Sequence, residues 1–248
     1  MKNKDAIIFL RWVALCSVVV FAFQMASANA ATATGAVSSS AVFIYRTWAK
    51  SYLRATGSIV EYDSIGSSAG MKKIQQNAVG FGATDVYPRE EDLINGDLVV
   101  FPIAITGISP IINLPRIQNG QLRLTGEVLS RIFMGEISHW NASEIAELNP
   151  DIVLPDLAIK VVVRADGSGT TYNFADYLAK TSQKWKSTYG VKTTIQWPDG
   201  FGSFKGSDGV SKAVRDTVGA IGYVDYGYVA EYGLTSIQLK NSDGFYIK

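Results

Sequence analysis

The chain has 248 residues and a formal net charge of +1; 47% of its residues are hydrophobic and 18% are charged. This near-neutral balance argues against a nucleic-acid-binding surface, which needs a strong excess of positive charge. The length is sufficient for one large or two small domains with real hydrophobic cores.

The first thirty residues predict a secretory signal peptide. Lys2, Lys4 and Arg11 form a basic region, and the apolar run from Trp12 to Phe23 is too short to span a membrane. The sequence A-N-A at positions 28–30 matches a signal-peptidase cleavage site. The alternative is an uncleaved anchor, which a longer apolar run would have favoured. We therefore expect a chain that is secreted to the periplasm.

The only cysteine, Cys16, lies within this predicted signal peptide. It follows Leu15, whereas a lipid-anchoring cysteine needs a small residue before it, so the sequence disfavours lipidation. Cleavage would remove three basic residues and one acidic residue, which changes the formal charge from +1 to −1. The remaining chain would have no cysteine, and therefore no disulfide and no thiolate metal site.

Predicted helices and strands alternate after residue 30. We take residues 31–35 as a short lead-in and residues 36–40 as a polar loop whose serines cap the next helix. The elements expected up to residue 85 are a helix over 42–54, a strand over 58–62, a Gly/Ser loop over 66–70, a helix marked by Met71, Ile74 and Val79, and a strand over 81–85. Trp48, Tyr52, Tyr172 and Phe174 have helical spacing and are expected in the core.

The alternation continues through the second part of the chain. Apolar stretches over 98–106 and 108–114 predict strands and a crossing between two domains. Helices are expected over 127–133 with Thr125 as cap, over 142–148 with a capping box of Asn141 and Glu144, over 207–217 and over 225–232. Strands are expected over 159–163, 193–197, 220–224 and 234–239. The fold class predicted from this order is α/β.

The most informative stretch is R-A-D-G-S-G-T-T at positions 164–171. It lies between a buried strand pattern and an amphipathic helix pattern, so its polar groups lie at a helix N-terminus, which carries unpaired N–H groups and a partial positive charge. Two glycines allow close approach of a ligand, and Arg164 offers a planar fork of donors that suits a tetrahedral oxyanion. The stretch predicts an anion-binding site. The alternative is an ordinary helix capped by Ser168 or Thr170.

Three loops that lead into helices are rich in hydroxyl-bearing residues and in small residues: residues 36–40, 66–70 and 164–171. Each is better suited to hold an anion than to serve as a plain connection. Ligands of open α/β sheets bind at the carboxyl ends of the strands, where these loops would meet.

A serine hydrolase is the main alternative, because residues 66–70 match G-x-S-x-G with Ser68 as the nucleophile. Its base would have to be His139, the only histidine, and Asp85 could complete a triad. No feature of the sequence brings His139 to the other two. A nucleotide loop lacks the required lysine and spacing, and a metal site lacks ligands, so we expect no cofactor and no metal.

Five segments together resemble the periplasmic phosphate-binding protein family of bacterial phosphate ABC transporters. They are T-G-A at 34–36, G-S-S at 66–68, F-G-A-T-D at 81–85, R-A-D-G-S-G-T at 164–170 and G-A-I-G-Y-V at 219–224. F-G-A-T-D and R-A-D-G-S-G-T are specific, and the other three segments support the resemblance. The resemblance implies a two-lobe periplasmic-binding-protein type II architecture, with lobe I over 31–106 and lobe II over 107–248 after a signal peptide over 1–30.

The resemblance also implies a monomeric, non-enzymatic protein that captures inorganic phosphate and delivers it to the permease of an ABC transporter. The implied phosphate contacts are Ser39, Ser40, Ser67, Asp85, Arg164, Ser168, Gly169 and Thr170, with Asp166 pairing with Arg164. Asp85 would accept the proton that phosphate carries and sulfate lacks, and would thereby select against sulfate.

The sequence departs from the family pattern in two places. The first loop keeps a hydroxyl at Ser39 but lacks the family's aromatic residue and proline, which affects the backbone contact expected at Ser40. The sequence also stops at Lys248, where the family continues into the part that completes the first lobe. The alternatives are a shortened relative with an incomplete first lobe, or a fragment or truncated reading frame.

Overall fold

The computed structural model describes residues 31–247, so the predicted signal peptide and Cys16 lie outside the described residues. The strands are β1 Thr32–Val37, β2 Ile59–Ser64, β3 Phe81–Ala83, β4 Ile108–Ile112, β5 Arg123–Leu124, β6 Lys160–Arg164, β7 Gly202–Phe204, β8 Ala220–Asp225, β9 Thr235–Ser236, β10 Gln238–Lys240 and β11 Tyr246–Ile247. The helices are α1 Val42–Thr56, α2 Ser67–Gln75, α3 Glu90–Asn95, α4 Gly126–Phe133, α5 Ser143–Ala146, α6 Gly169–Thr181, α7 Gln183–Thr188, α8 Gly206–Asp216 and α9 Tyr226–Tyr232. A 3₁₀ turn over Ser39–Ala41 precedes α1.

The strands form three sheets. The first has the order β2-β1-β3 and is parallel throughout. The second has the order β7-β6-β8-β4-β9, in which β6 is parallel to β7 and β8, while β4 is antiparallel to β8 and β9. A small sheet of β11-β10-β5 completes the described strands. Parallel neighbours joined through helices make this an α/β fold, as the sequence predicts.

Two hydrophobic clusters hold the five-stranded sheet between helices. The larger one packs α4 and α6 against the sheet around Phe133, Trp140, Phe174 and Tyr223. The second cluster covers the other face and includes Val210 and Val214 of α8 together with Val42, the first residue of α1. The start of α1, which follows β1 of the first sheet, is therefore packed on the core of the second sheet.

Strand β1 corrects the sequence analysis, which took residues 31–35 as a lead-in. It is the central strand of its sheet, with pairing partners on both edges. Ala36 and Val37 are fully buried, and a Cβ on Gly35 would lie 2.1 Å from the Phe81 ring. A side chain at position 35 would displace the Phe81 ring, and Gly35 and Ala36 interrupt the β-branched residues by which a strand is recognised.

Residues 98–107 form no strand, so the strand expected over 98–106 is wrong. Pro102 has no N–H to donate to a neighbouring strand, and no strand pairs with this segment within residues 31–247. Its large side chains remain outside the core: Ile105 is fully exposed, and Val99 and Phe101 are 88% and 69% exposed.

Three local expectations are also wrong. Asn141 is not a helix cap, because its amide donates to Asp156 and α5 begins after Ala142 without a side-chain cap. Residues 193–197 form no strand. Trp48 and Tyr52 are 43% and 50% exposed, since α1 makes its contacts through other aromatic residues, such as Tyr45 stacked on Phe81.

The remaining predicted elements lie near their expected positions, including Thr125 as the cap of α4 through a bond from Val128 N. Helices α3 and α7 and strands β5, β7 and β11 were not predicted. Among the helices between residues 31 and 247, none combines the length and apolar character that a membrane crossing requires.

Candidate anion-binding site

The candidate site lies where strands of the first two sheets end. The 3₁₀ turn follows β1, Asp85 follows β3, and Arg164 is the last residue of β6. Helices α2, α6 and α8 begin in the same region with Ser67, Gly169 and Gly206. The carboxyl ends of strands and the N-termini of helices therefore converge, as expected for a ligand site of an open α/β sheet.

Arg164 is 4% exposed and is held by a bidentate ion pair with Asp166. The distances are 2.8 Å for Nε–Oδ1 and 2.5 Å for Nη2–Oδ2, and Oδ1 also accepts from the backbone N of Gly206 at 2.9 Å. Burial alone would raise the pKa of Asp166, but the hydrogen bonds and charge of Arg164 and the Gly206 bond outweigh it and lower that pKa. The structure thus brings Asp166 to the position expected of a residue that orients the Arg164 fork.

The third guanidinium nitrogen of Arg164 reaches the turn after β1. Nη1 donates to Ser39 Oγ at 3.2 Å and to Ser207 Oγ at 3.3 Å, and the two hydroxyl oxygens are 2.9 Å apart. Tyr228 donates to the backbone oxygen of Ser39 at 3.1 Å, which further fixes the turn. Burial, the Asp208 charge and the hydrogen bond to Asp208 raise the pKa of Tyr228, so it stays a donor.

Asp85 is surrounded by serine hydroxyls. Ser38 donates to Oδ2 at 2.5 Å, Ser67 donates to the same oxygen at 3.3 Å, and Ser40 donates to Oδ1. The hydroxyls of Ser40 and Ser67 therefore lie next to the carboxylate that was expected to receive a ligand proton.

The loops that begin α2 and α6 are in close contact. The backbone N of Gly169 donates to Ser67 Oγ at 3.2 Å, and Ser68 N donates to Gly167 O at 3.2 Å. A Cβ on Gly169 would lie 2.4 Å from Ser67 Oγ, and one on Gly66 would lie 2.5 Å from Asp166 Oδ2. Because those distances are shorter than any real Cβ contact, glycine is required at both positions.

The hydroxyls at the start of α6 differ in what they bind. Ser168 is fully buried and caps the helix by accepting from Thr171 N at 3.1 Å, as the alternative interpretation of this stretch expected. Thr171 pairs with Tyr223 at 2.7 Å; burial raises the pKa of Tyr223 to about 12, although the Thr171 bond opposes this shift. Thr170 Oγ1 is buried and has no hydrogen-bond partner among residues 31–247. A buried hydroxyl left unpaired is costly, so this atom is suited to a ligand.

A cleft of about 1380 Å³ opens beside this cluster. Ser40, Asp85, Thr170 and Asn173 contribute polar groups to its wall, and the irregular segment over 100–107 contributes much of its apolar wall. The cleft therefore opens the Asp85 side of the cluster to solvent, whereas Arg164 lies behind it and is buried.

The structure brings all nine predicted site residues into one region, and it adds three that the sequence analysis did not assign to the site. From the sequence, Ser38 is a possible cap, Ser207 begins a helix, and Asn173 belongs to the helix pattern that follows residue 171. Ser207 had a detectable signal, since it is a further hydroxyl at a strand-to-helix junction. Asn173 had none, because its contact with Asp85 spans 88 residues.

The residues of the alternative hydrolase are not brought together. The described hydrogen bond of the His139 ring is with the adjacent Ser138 at 3.1 Å, and the backbone of His139 forms a bridge with Ala158. Ser68 contacts the opposite loop instead, through its backbone bond to Gly167. The geometry does not support a nucleophile and base at this site.

Known proteins resemble this chain along most of its length. Residues 24–248 match the family model of the PBP superfamily domain. The phosphate-binding protein PstS of Pasteurella multocida is 42% identical over 235 residues, which cover 95% of this chain and 68% of that protein. The PstS proteins of Haemophilus influenzae and Xylella fastidiosa are also 42% identical, and the matches cover 66% and 58% of those proteins. The chain therefore spans roughly three fifths to two thirds of the length of these relatives.

Two solved structures resemble the fold. A substrate-binding protein from Clostridium perfringens, solved with bound phosphate, has a TM-score of 0.67 at 23% identity, with 86% of this chain and 76% of that chain covered. The high-affinity periplasmic phosphate-binding protein PfluDING has a TM-score of 0.64 at 19% identity, with 87% and 64% covered. At these identities the likeness shows the fold alone, which is the type II periplasmic-binding-protein fold. The family model and the 42% identity to the Pasteurella protein show that the chain belongs to the PstS phosphate-binding family of the PBP superfamily, a family of binding proteins and not of enzymes.

Proposed function

We propose that this protein binds inorganic phosphate in the cluster around Arg164 and Asp85. The observation that carries the proposal is that an arginine fork, several hydroxyl donors and one carboxylate acceptor converge at the same helix N-termini. Phosphate needs this mixture, because at neutral pH it carries both negative oxygens and a proton. The relatives named above are phosphate-binding proteins, which supports the same ligand.

The proposed phosphate contacts are Ser39, Ser40, Ser67, Asp85, Arg164, Ser168, Gly169 and Thr170, and Asp166 orients Arg164. The buried and unpartnered hydroxyl of Thr170 supports its place in this set. The bidentate pair with Asp166 leaves the two Nη1 hydrogens, which Ser39 and Ser207 accept, and one Nη2 hydrogen for a ligand. Ser39 and Ser40 contribute through the turn that Tyr228 fixes.

Asp85 gives the site its preference among anions. A carboxylate repels an anion unless the anion donates a hydrogen bond, and phosphate can donate whereas sulfate at neutral pH cannot. Sulfate would bring negative oxygens against the Asp85 carboxylate without donating a hydrogen bond to it, at a cost of about 1–3 kcal/mol or more for a charged group. Asp85 therefore discriminates between two anions of nearly the same size and shape.

We further propose that the chain acts as a monomeric periplasmic receptor with a cleaved signal peptide over residues 1–30. Residues 31–106 form lobe I and residues 107–248 form lobe II, and the two close on phosphate by a hinge motion. The closed form then delivers phosphate to the membrane permease of an ABC transporter, and no nucleic acid takes part. The division is supported by the separate sheet that β1, β2 and β3 form, and residues of both proposed lobes, such as Ser39 and Ser207, meet next to the site.

Calorimetric titration of the purified protein with phosphate and with sulfate tests the proposal. We expect tight binding of phosphate and much weaker but measurable binding of sulfate. Replacing Asp85→Asn should lower the ratio of phosphate to sulfate affinity by about tenfold or more, since a discrimination of about 1–3 kcal/mol is removed. Asp151→Asn, the same change at an exposed position, is the matched control and should leave the ratio unchanged. Equal affinity of the wild-type protein for the two anions would refute the role of Asp85, and no phosphate binding would refute the function.

A further inference from the structure

Asn173 touches both halves of the candidate site through a single side-chain amide. It lies one helical turn after Gly169 on α6, and Nδ2 donates to Gly169 O and to Asp85 O, each at 2.9 Å. An amide nitrogen has two hydrogens, so both are used. The reverse orientation would place Oδ1 against two carbonyl oxygens, and the hydrogen-bond network therefore fixes the direction of the amide.

Asp85 lies in an irregular segment whose backbone needs hydrogen bonds from other parts of the chain to hold it in place. Strand β3 ends at Ala83 and α3 begins at Glu90, and residues 84–89 between them form no helix or strand. The backbone N of Asp85 makes only a 3.4 Å bond to Ser67 Oγ, which is longer than the bond that its carbonyl accepts from Asn173. The Asn173 bond is therefore the shorter of the two that hold the Asp85 backbone.

The hydrogen bond from Asn173 also keeps Asp85 in contact with the start of α6. A Cβ on Gly169 would lie 2.7 Å from Asp85 Cβ and 2.8 Å from Asp85 Oδ2. With its backbone held there, the Asp85 side chain points into the serine hydroxyls and not away from them. If the backbone were released, the carboxylate could turn towards solvent and leave the anion without an acceptor.

We propose that Asn173 is a positioning residue that fixes the direction of the Asp85 carboxylate and thereby sets the preference for protonated tetrahedral anions over fully deprotonated ones. The inference rests on the proposed phosphate function. A carboxylate discriminates against sulfate only while it is held in the site, because a mobile carboxylate avoids the cost of an unpaired acceptor by moving. Asn173 makes no bond to the Asp85 side chain, so it acts through the backbone.

The test compares Asn173→Ala with the wild-type protein in calorimetric titrations with phosphate and with sulfate. We expect phosphate affinity to fall about tenfold, the effect of losing one well-placed hydrogen bond of about 1.4 kcal/mol. Sulfate affinity should stay the same or rise, so that the ratio of the two falls about tenfold. Asp176→Ala, an exposed change on the same helix, is the control and should not alter the ratio.

Asn173→Leu provides a second arm, since it keeps the approximate size of the side chain and removes both donors without adding a charge, and it should lower the ratio in the same way. Equal losses of affinity for both anions in a folded Asn173 variant would show a merely structural role and overturn the inference. Absence of phosphate binding in the wild-type protein would refute the proposed function itself. Thermal melts of each variant establish which of them are folded at the titration temperature.

Discussion

Asp85 and Arg164 are bound to consecutive residues of one turn: the Asp85 carboxylate accepts from the hydroxyl of Ser40, and the Arg164 guanidinium donates to that of Ser39. The two charged groups come from different sheets, yet this turn holds them on the same side of the molecule. A shared position is what simultaneous contact with one small anion requires. Had they been on opposite faces, neither the arginine fork nor the carboxylate could take part in the same site.

The first prediction compares two adjacent threonines. Thr170→Val removes a buried hydroxyl that has no partner between residues 31 and 247, so the stability of the free protein should stay the same or rise. The same change should weaken phosphate binding about tenfold, because a ligand hydrogen bond of about 1–1.5 kcal/mol is lost. Thermal melts and calorimetric titration measure the two effects.

Thr171→Val is the matched control for this prediction. Thr171 is bonded to Tyr223 at 2.7 Å, so its loss should lower the stability by about 1–3 kcal/mol, since Tyr223 is left buried and unpaired. Phosphate affinity should change less than in the Thr170 variant. A loss of stability in Thr170→Val with unchanged affinity would contradict the assignment of Thr170 to the ligand.

The second prediction concerns the contact between the loops that begin α2 and α6. In Gly169→Ala the new Cβ would approach Ser67 Oγ to 2.4 Å and Asp85 Cβ to 2.7 Å, so the loops must separate. We expect phosphate affinity to fall by at least about tenfold, because overpacking of this kind costs about 1–3 kcal/mol. Titration of the variant with phosphate measures the change.

Gly80→Ala serves as its control, because Gly80 does not line the cleft and a Cβ there would meet its nearest described atom, Thr34 O, at an ordinary contact distance of 3.5 Å. This variant should bind phosphate as the wild-type protein does. Wild-type affinity in Gly169→Ala would mean that the two loops separate without consequence, and that their close contact is not needed for binding.

The third prediction concerns pH. The pKa of Asp166 is lowered in the folded protein, so the folded state favours its ionised form. The stability that this carboxylate contributes is complete above its unfolded pKa of about 3.9, and it is lost as the pH falls through the lower pKa of the folded state. Asp166→Asn should therefore lower the free energy of unfolding by about 1.5–3 kcal/mol at neutral pH.

The difference between Asp166→Asn and the wild-type protein should shrink as the pH is lowered from about 7 to about 3. Urea unfolding at a series of pH values measures it. Asp176→Asn, which removes an exposed ion pair with Lys180, should cost less than about 1 kcal/mol. A difference for Asp166→Asn that grows on acidification would show that the pKa of Asp166 is shifted in the other direction.

The sequence predicts the parts of this fold that have strong local patterns. The apolar run before Arg164, the capped helix after Thr125 and the Gly/Ser junctions are each recognisable within a few residues, and they locate most of the candidate site. The apolar residues of the segment over 98–107 are typical of a strand and predict one there. No strand forms, because a strand also needs a neighbouring strand with which to pair. Strand β1 was missed for the opposite reason, since its buried residues are small.

The finer organisation of the site could not be predicted, because it depends on contacts between distant parts of the chain. Ser207 joins the cluster through Ser39, 168 residues away, and Asn173 reaches Asp85 across 88 residues. Ser207 has a weak local signal, as a hydroxyl at a strand-to-helix junction, but nothing within a short window of sequence distinguishes Asn173 from an ordinary helix position. They were identified only when the ends of the two sheets were seen together.

The ion pair between Arg164 and Asp166 has a consequence for how an anion is captured. Arg164 contributes one formal positive charge to the cluster, and Asp166 and Asp85 contribute one negative charge each. The site therefore offers no long-range Coulomb attraction to an approaching anion. The anion must therefore be bound by short-range dipoles. These dipoles belong to backbone N–H groups and to hydroxyls that the fold already holds in fixed directions. Such a receptor recognises its ligand by the number and geometry of the hydrogen bonds, and not by the amount of charge.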